Sequence, residues 1–211
     1  MAGSGWSAEA APQAQAVPEA AAGRRRGPAL ERAILDAALE QLSTVGWNAL
    51  TMEAVAAGAR TGKAALYRRW PSKADLVAEV LREGLPGLGE IADHGSVRED
   101  LYRLTVRMRD VMRSRAGVAL RAVLHECDHA HADLFREVIW KGLHEPAQEV
   151  IRELVQRGIE RGDVRSDATS PLVADVIPAM LMYRAKVCGS EWPDAEIAEM
   201  IDGLMVPMLR A

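Results

Sequence analysis

Residues 51–76 read TMEAVAAGARTGKAALYRRWPSKADL, and three helix starts fall within this short stretch. Thr51 can accept a hydrogen bond from the first turn of a short helix, and Thr61 can cap a second one after a glycine-containing break. Ser72 and Asp75 have the spacing of a capping box, which predicts a third helix that begins at Ser72. Two short helices joined by a three-residue turn form a helix-turn-helix, so this motif is predicted here.

The second short helix is predicted to have an apolar face and a basic face. Leu66 and Trp70 lie four residues apart on the apolar face. They are expected to pack against Leu42, Val45, Trp47 and Leu50. The other face carries Gly62, Lys63, Ala64, Tyr67, Arg68 and Arg69. Small residues allow close approach to a DNA groove, and Lys, Arg and Tyr can bind phosphates. We interpret Lys63, Tyr67 and Lys73 as DNA-contacting; in the alternative, Tyr67 is ordinary core, as we expect for Trp70, and the arginines form a solvated rim.

The chain before this segment divides into two parts. Residues 1–23 are Ala, Pro, Glu and Gln without an apolar period, which predicts a disordered tail. From Pro28 onward apolar residues recur every three or four positions, and this pattern indicates an amphipathic helix that Gly46 ends. No stretch of the chain alternates apolar and polar residues for long enough to predict a strand. The predicted fold class is therefore all-α.

The net charge of −4 is unevenly distributed along the chain. Residues 24–73 carry nine Lys or Arg and four Asp or Glu, a net charge of +5, which leaves −9 for the rest. A basic segment attached to an acidic remainder indicates a part that binds a polyanion. A basic face that is only solvated is the alternative.

Composition restricts the class of protein further. A chain of 211 residues with 49% hydrophobic content can bury the core of one small and one larger domain. No apolar run approaches the ~20 residues of a membrane span, and Arg24–Arg26 is followed by Gly-Pro instead of an apolar export signal. Two cysteines without short paired spacing argue against a disulfide scaffold. We predict a cytoplasmic protein.

The block from Thr51 to Ala56 (TMEAVA) and the block from Gly62 to Lys73 (GKAALYRRWPSK) closely resemble the amino-terminal DNA-binding domain of TetR-family transcriptional regulators. Two later segments, ERGDVRSD at 160–167 and DVIPAMLMYRAKV at 175–187, resemble the ligand-binding and dimerisation domain of an actinobacterial branch of the family. The resemblance spans roughly Pro28 to Ala211. After the disordered tail predicted at 1–23, it implies a three-helix helix-turn-helix DNA-binding domain at 24–82 and an all-helical effector-binding and dimerisation domain at 83–211.

The resemblance assigns a set of residues to DNA contact. They lie in a basic arm before the first helix, at the start of the supporting helix, in the recognition helix and at the start of the helix after it. These are Arg24, Arg25, Arg26, Thr51, Met52, Lys63, Ala64, Ala65, Tyr67, Arg68, Arg69 and Lys73. A flexible arginine arm suits the narrow minor groove. One departure concerns the turn, because Arg60 stands where the family usually has glycine, and this puts the register of the recognition helix in question.

The carboxy-terminal part is predicted to consist of helices, including Ser96–Ser114, a helix opened by Ser170 and Pro171 with Pro178 inside it, and a last helix opened by Asp194. The hypothesised pocket for a small, largely apolar effector consists of Leu104, Met108, Met112, Leu124, Cys127, His131, Trp140, Met180 and Tyr183. By resemblance, the last two helices form a four-helix dimer interface instead of packing only within the monomer. The predicted interface residues are Leu172, Val176, Ile197, Met200, Ile201, Leu204, Met205 and Met208.

The sequence HECDH at 125–129 matches the letters of the zinc-peptidase pattern. On a continuous helix, His125 and His129 fall opposite the apolar side, whereas zinc peptidases place this pair in a buried cleft with a third ligand. A zinc hydrolase using His125, Glu126 and His129 is therefore the least favoured interpretation. Cys127 and His131 fall on the apolar side of the same helix, which leaves open a metal- or thiol-responsive regulator.

The sequence predicts a non-enzymatic transcriptional regulator. We expect a homodimeric repressor that a small molecule releases from a near-palindromic double-stranded DNA operator. No cofactor and no metal site are predicted, and no membrane partner.

Overall fold

The computed structural model of the chain describes residues 27–127, 130–188 and 192–210. The described residues are helical and contain no strand, so the all-α prediction is confirmed. The helices are α1 Pro28–Ala49, α2 Met52–Gly58, α3 Lys63–Tyr67, α4 Lys73–Gly84, α5 Val97–Arg113, α6 Arg115–Glu126, α7 Ala132–Ile139, α8 Glu145–Arg161, α9 Pro171–Tyr183, α10 Asp194–Met200 and α11 Val206–Leu209. Three π-helical turns lie at Trp140–His144, Arg184–Cys188 and Ile201–Met205. No helix within these ranges is long and apolar enough to cross a membrane.

The first helix continues past the residue that was predicted to end it. Gly46 has φ 81° and ψ −179°, a break in the helix that only glycine adopts easily, and the helix resumes as far as Ala49. The carboxylate of Glu126, at the end of α6, accepts the backbone N–H of Asn48 at 2.9 Å. A Cβ atom at position 46 would clash with this carboxylate. The glycine therefore allows α6 to hold the end of α1.

Local capping explains where the next helices begin. Thr51 accepts the N–H of Ala54 at 3.2 Å, and Ser72 and Asp75 form the predicted capping box before α4. The predicted cap by Thr61 is wrong, because Gly62 precedes α3 and supplies no side chain. The three helix starts of the helix-turn-helix are nevertheless present.

The interior is divided between two clusters of buried apolar side chains. The first core joins α1–α4 to α6 and α7, with Leu42, Leu66, Trp70 and Phe135 among its members. Val45, which was predicted to pack here, is exposed instead. The helix-turn-helix part of the chain therefore shares its core with two helices that follow it in sequence.

The second core is formed by α5 and by the helices from α8 to the carboxyl end. Leu101, Ile151, Leu154 and Ile177 are almost completely buried in it. Beside it, Arg161 bridges the carboxylates of Asp93, Asp100 and Asp163. This core carries the faces of α9 and α10 on which the dimer prediction depends.

Four residues of the predicted dimer interface belong to the monomer core instead. They are Ile197, Met200, Ile201 and Met205. The apolar stripe of the last helix points inward because α5 already provides a partner surface for it. Leu172 is 71% exposed, Leu204 48% and Met208 37%, whereas Val176 is partly buried.

Candidate DNA-contacting face and effector cavity

Helix α3 presents a basic outer face on an apolar base. Leu66 is fully buried and Trp70 almost so, which fixes the rotation of the helix. The exposed residues of this face are Lys63, Ala64, Tyr67, Arg68 and Arg69. Tyr67 is 48% exposed, so the interpretation of this tyrosine as ordinary core is excluded. The structure thus leaves a free surface with the chemistry that a DNA groove requires.

Ion pairs at the surface hold two of these basic residues in the absence of DNA. Lys63 pairs with Glu53 of α2, and its hydrogen bond lowers the pKa of the Glu53 carboxyl. Arg69 lies 3.5 Å from Glu31 of α1. Arg68 has no ion pair with any residue in the described ranges. Ion pairs this exposed contribute little to stability, so both basic side chains remain available to DNA phosphates.

Three residues predicted to contact DNA are placed differently by the structure. The side chains of Met52 and Ala65 are buried, since they form the inner faces of α2 and α3. Lys73 donates from its Nζ atom to the backbone carbonyl oxygen of Trp47 at 2.8 Å and lies 4.2 Å from the centre of the Trp47 ring. Its ammonium group is therefore engaged within the protein, in contrast to the predicted contact with a DNA phosphate. Thr51 is exposed and is itself the N-cap of α2. Arg24, Arg25 and Arg26 lie outside the described residues.

Arg60 takes the backbone conformation that the family's glycine would take. Its φ is 55°, the left-handed region, and it is the one non-glycine residue with this conformation in the described chain. Thr61 then donates its N–H to the carbonyl of Ala56, so the turn closes in the usual way. The departure at position 60 leaves the path of the turn intact.

A cavity of about 580 Å³ lies between the two cores. Met112, Val123 and Phe135 of the first core face it from one side, and Met108 and Val111 of the second core from the other. The lining consists of Leu88, Met108, Val111, Met112, Val123, Leu124, Cys127, Ala132, Phe135, Arg136, Ile139, Trp140, Leu143, His144, Pro178, Ala179, Leu181, Met182 and Lys186. The size and the mostly apolar lining are those of a small-molecule site.

The predicted pocket residues fall into two groups. The residues that line the cavity are Met108, Met112, Leu124, Cys127 and Trp140. Leu104 is fully buried in the second core, and Met180 packs against that core. Tyr183 is exposed at the end of α9, and His131 lies with its ring 5.6 Å from the ring of Trp47. These four residues do not line the cavity.

Much of the lining that the sequence did not indicate comes from α7 and from the π-helical turn after it. Phe135, Arg136, Ile139, Leu143 and His144 enter the wall from this segment. The apolar stripe of α7 could have indicated a buried face, but its period alone does not distinguish a cavity wall from ordinary core.

The HECDH segment is not a continuous helix. Helix α6 ends at Glu126, and Cys127 is already extended with ψ 134°. The prediction that Cys127 and His131 share one helix face is therefore wrong. The ring Nε2 of His125 is 3.4 Å from the carbonyl oxygen of Ala185, and Glu126 holds Asn48, while His129 lies outside the described residues. Within the described ranges no three His, Cys, Asp or Glu side chains are grouped to hold a metal ion.

Two family models match the chain. Residues 34–80 match the bacterial regulatory proteins of the tetR family, and residues 91–204 match the tetracyclin repressor-like carboxy-terminal domain. An uncharacterized HTH-type transcriptional regulator of Mycobacterium bovis is 31% identical over 180 residues, which cover 85% of this chain and 87% of the relative. A DNA-binding transcriptional repressor TetR of Mycobacteroides abscessus is 28% identical over 186 residues, which cover 88% of this chain and 96% of the relative.

Solved structures have the same fold. A TetR-family transcriptional regulator from Mesorhizobium loti superimposes with a TM-score of 0.66 at 19% identity, over 85% of this chain and 94% of the other. NalD of Pseudomonas aeruginosa, the secondary repressor of the MexAB-OprM multidrug efflux pump, gives a TM-score of 0.63 at 18% identity, over 86% and 96%. The named relatives are transcriptional regulators, not enzymes. This chain belongs to the TetR family of DNA-binding transcriptional regulators.

Proposed function

We propose that this regulator is a homodimeric repressor that a small, largely apolar molecule releases from a near-palindromic operator. The observation that supports this proposal is the position of the cavity between two cores. One core includes the DNA-binding helices, and the other includes the exposed face on which we propose dimerisation. A ligand between them changes the position of the DNA-binding helices relative to that face.

Contact with DNA is assigned to the outer face of α3. Lys63, Tyr67, Arg68 and Arg69 are exposed together there, and Ala64 leaves room for the groove edge. Two such helices in a dimer read two half-sites about one DNA turn apart, ~34 Å. Thr51 is exposed at the start of α2, the first helix of the helix-turn-helix, and we assign it a contact with the DNA backbone.

The dimer face is assigned to the exposed apolar side chains of α9 and of the carboxy-terminal segment. Leu172, Leu204 and Met208 are large and apolar yet exposed in the monomer, and Val176 lies one turn after Leu172. Large apolar groups that are exposed in a monomer are candidates for protein contacts. A second copy of the chain is the partner that we propose for them, as two copies are needed for two half-sites.

A chain of direct contacts supports the coupling between the cavity and the DNA-binding part. Phe135 lines the cavity, and its ring meets the edge of the Trp47 ring at 5.1 Å with an angle of 85° between the planes. The carbonyl of Trp47 holds Lys73, the first residue of α4. A ligand that displaces α7 therefore acts on the start of α4, and rigid-body rotation of the DNA-binding helices is the response that we propose.

The DNA-contacting face is tested with Arg68→Ala and, as a matched control, Arg103→Ala, which removes an exposed arginine from α5. Operator sequences are first selected from a random duplex pool with the native protein. Arg68→Ala is expected to weaken binding and to reduce the slope of log affinity against log salt by about one, since one phosphate contact is lost. An unchanged slope in Arg68→Ala, or an equal loss in Arg103→Ala, would exclude α3 as the contact surface.

Release is tested by comparing native protein with Phe135→Leu. Compounds that calorimetry and competition experiments show to bind in the cavity of the native protein should lower its affinity for the operator. Phe135→Leu should bind such compounds with less effect on the operator, because the ring contact with Trp47 is lost. Release is disproved if compounds that fill the cavity leave the operator affinity of the native protein unchanged.

A further inference from the structure

The side chains that line the cavity are biased in charge. The basic residues Arg136, His144 and Lys186 line it, whereas no Asp or Glu of the described chain does. We propose that the cavity takes an amphipathic monoanion: an apolar body with a single carboxylate or comparable acidic head group that lies beside Arg136 and Lys186. The proposal rests on the effector role of the cavity and specifies the chemical class of the effector.

The apolar part of such a ligand fits the inner wall. Met108, Val123, Phe135, Leu143 and Pro178 offer no hydrogen-bonding side chain. A charge placed among them would lose its hydration without compensation. The ionic group is therefore expected beside the exposed basic residues of the lining, Arg136 and Lys186.

The three basic residues of the lining differ in their carboxylate partners. Asp133 pairs with Arg136 at 2.8 Å, but both side chains are mostly exposed, so the pair contributes little. Asp175 lies 3.6 Å from Nε2 of His144. Lys186 forms no ion pair with any residue that the structure describes. A ligand anion would thus meet an uncompensated ammonium group and a guanidinium group that can exchange partners.

Cations bind over the faces of aromatic rings, and Phe135 and Trp140 line the cavity. One face of the Trp140 ring is already occupied by the imidazole of His144, with the ring centres 4.3 Å apart and 38° between the planes. A cation would also have to approach the positive charges of Arg136 and Lys186. Both features favour an anion.

The test uses three probes with one chain length and three head groups: decanoate, decan-1-ol and decyltrimethylammonium. Calorimetry with the full chain, below the concentration at which the probes form micelles, gives their affinities. Decanoate is expected to bind roughly tenfold more tightly than the alcohol, since charge-assisted hydrogen bonds are the stronger ones. The ammonium probe is expected to bind least tightly. Equal affinity of decanoate and the alcohol, or tighter binding of the ammonium probe, overturns the proposal.

Variants locate the head group. Arg136→Gln and Lys186→Gln together should abolish the preference for decanoate and leave the affinity for decan-1-ol nearly unchanged. Lys141→Gln is the matched control, because Lys141 is an exposed base on the same segment that does not line the cavity. Loss of the preference in Lys141→Gln to the same extent would indicate a general charge effect and would contradict a head-group site.

The charge preference and the release of operator are separate measurements. If decanoate binds preferentially and operator affinity does not change, the proposed induction fails and the assignment of the ligand class remains. If neutral or cationic compounds release the operator and decanoate does not bind, the ligand class is wrong and the proposed function remains.

Discussion

The two cores of the molecule differ in which parts of the sequence they bring together. The second core joins α5 with the helices after α7, whereas the first joins the amino-terminal helices with α6 and α7. The division of packing therefore does not follow the division suggested by the DNA-binding motif. The cavity is lined by residues of α6 and α7, which are already part of the core of the helix-turn-helix region. Under the proposed function, a ligand would need no separate hinge between two domains to act on DNA binding.

The largest expected effect comes from removing a large side chain from each core. Trp47→Ala should destabilise the protein by about 3–5 kcal/mol, and Leu154→Ala by about 2–5 kcal/mol, because each leaves a cavity that the core fills only partly. Hydrogen exchange by mass spectrometry distinguishes the cores. Trp47→Ala should speed exchange in α1–α4, α6 and α7, and Leu154→Ala should do so in α5 and α8–α10.

The control for this comparison is the exchange of the opposite core in each variant, which should stay close to that of the native protein. If both variants speed exchange evenly through the whole chain, the two cores unfold as one unit. The view of two bodies separated by a cavity would then be wrong.

An intermediate effect is expected at the contact between α1 and α6. Gly46→Ala should lower the free energy of unfolding by about 1–3 kcal/mol, because a left-handed φ disfavours a Cβ atom and the added carbon displaces the Glu126 carboxylate from the Asn48 N–H. Chemical denaturation measures the change. Gly87→Ala is the control, since a Cβ atom there meets nothing within 4 Å. Equal free energies of unfolding of the two variants would show that the contact between α1 and α6 at Gly46 does not contribute to stability.

The smallest effect concerns an ionic contact at the second core. Burial acts to raise the pKa of the Asp163 carboxyl, but the backbone N–H of Val97 at 2.6 Å and the Arg161 guanidinium lower it overall. A folded pKa below the unfolded value contributes stability above about pH 4 that is lost as the pH falls through the folded pKa. Asp163→Asn should therefore cost at most about 1 kcal/mol at pH 7.

Urea unfolding of native protein and Asp163→Asn at pH 7 and near pH 3 measures this difference. The difference in stability should shrink at the lower pH, because a larger fraction of the native carboxyl is then protonated. A difference that does not depend on pH would show that the Asp163 charge has no role.

Features set by neighbouring residues could be predicted from the sequence. The caps at Thr51 and Ser72, the outward face of Tyr67 and the buried face of Leu66 depend on spacings of two to four residues, which a helix converts directly into contacts. Thr61 was the exception, because Gly62 adopted the extended conformation before α3. Arg60 kept the path of the turn by adopting the left-handed conformation itself.

Features set by distant residues could not be predicted in this way. An apolar stripe is the same whether it meets its own monomer or a second copy, and so Ile197 and Ile201 were assigned to a dimer face although α5 covers them. The residues that line the cavity could not be predicted for the same reason. Leu104 and Met108 are one turn apart on α5, yet only Met108 faces the cavity, since the packing of α8 and α9 against α5 determines which turn remains uncovered.

The π-helical turns have a consequence for how the chain tolerates a change of length. The N–H of Glu145 bonds to the carbonyl of Trp140, five residues earlier, so this turn encloses one residue more than an α-helical turn. Deletion of Gly142 would convert this turn into an ordinary α-helical turn between α7 and α8. Because the wider turn had absorbed the extra residue, the two helices would keep nearly the same rotation relative to each other. A change of length by one residue is therefore compatible with the helix that forms this part of the cavity wall.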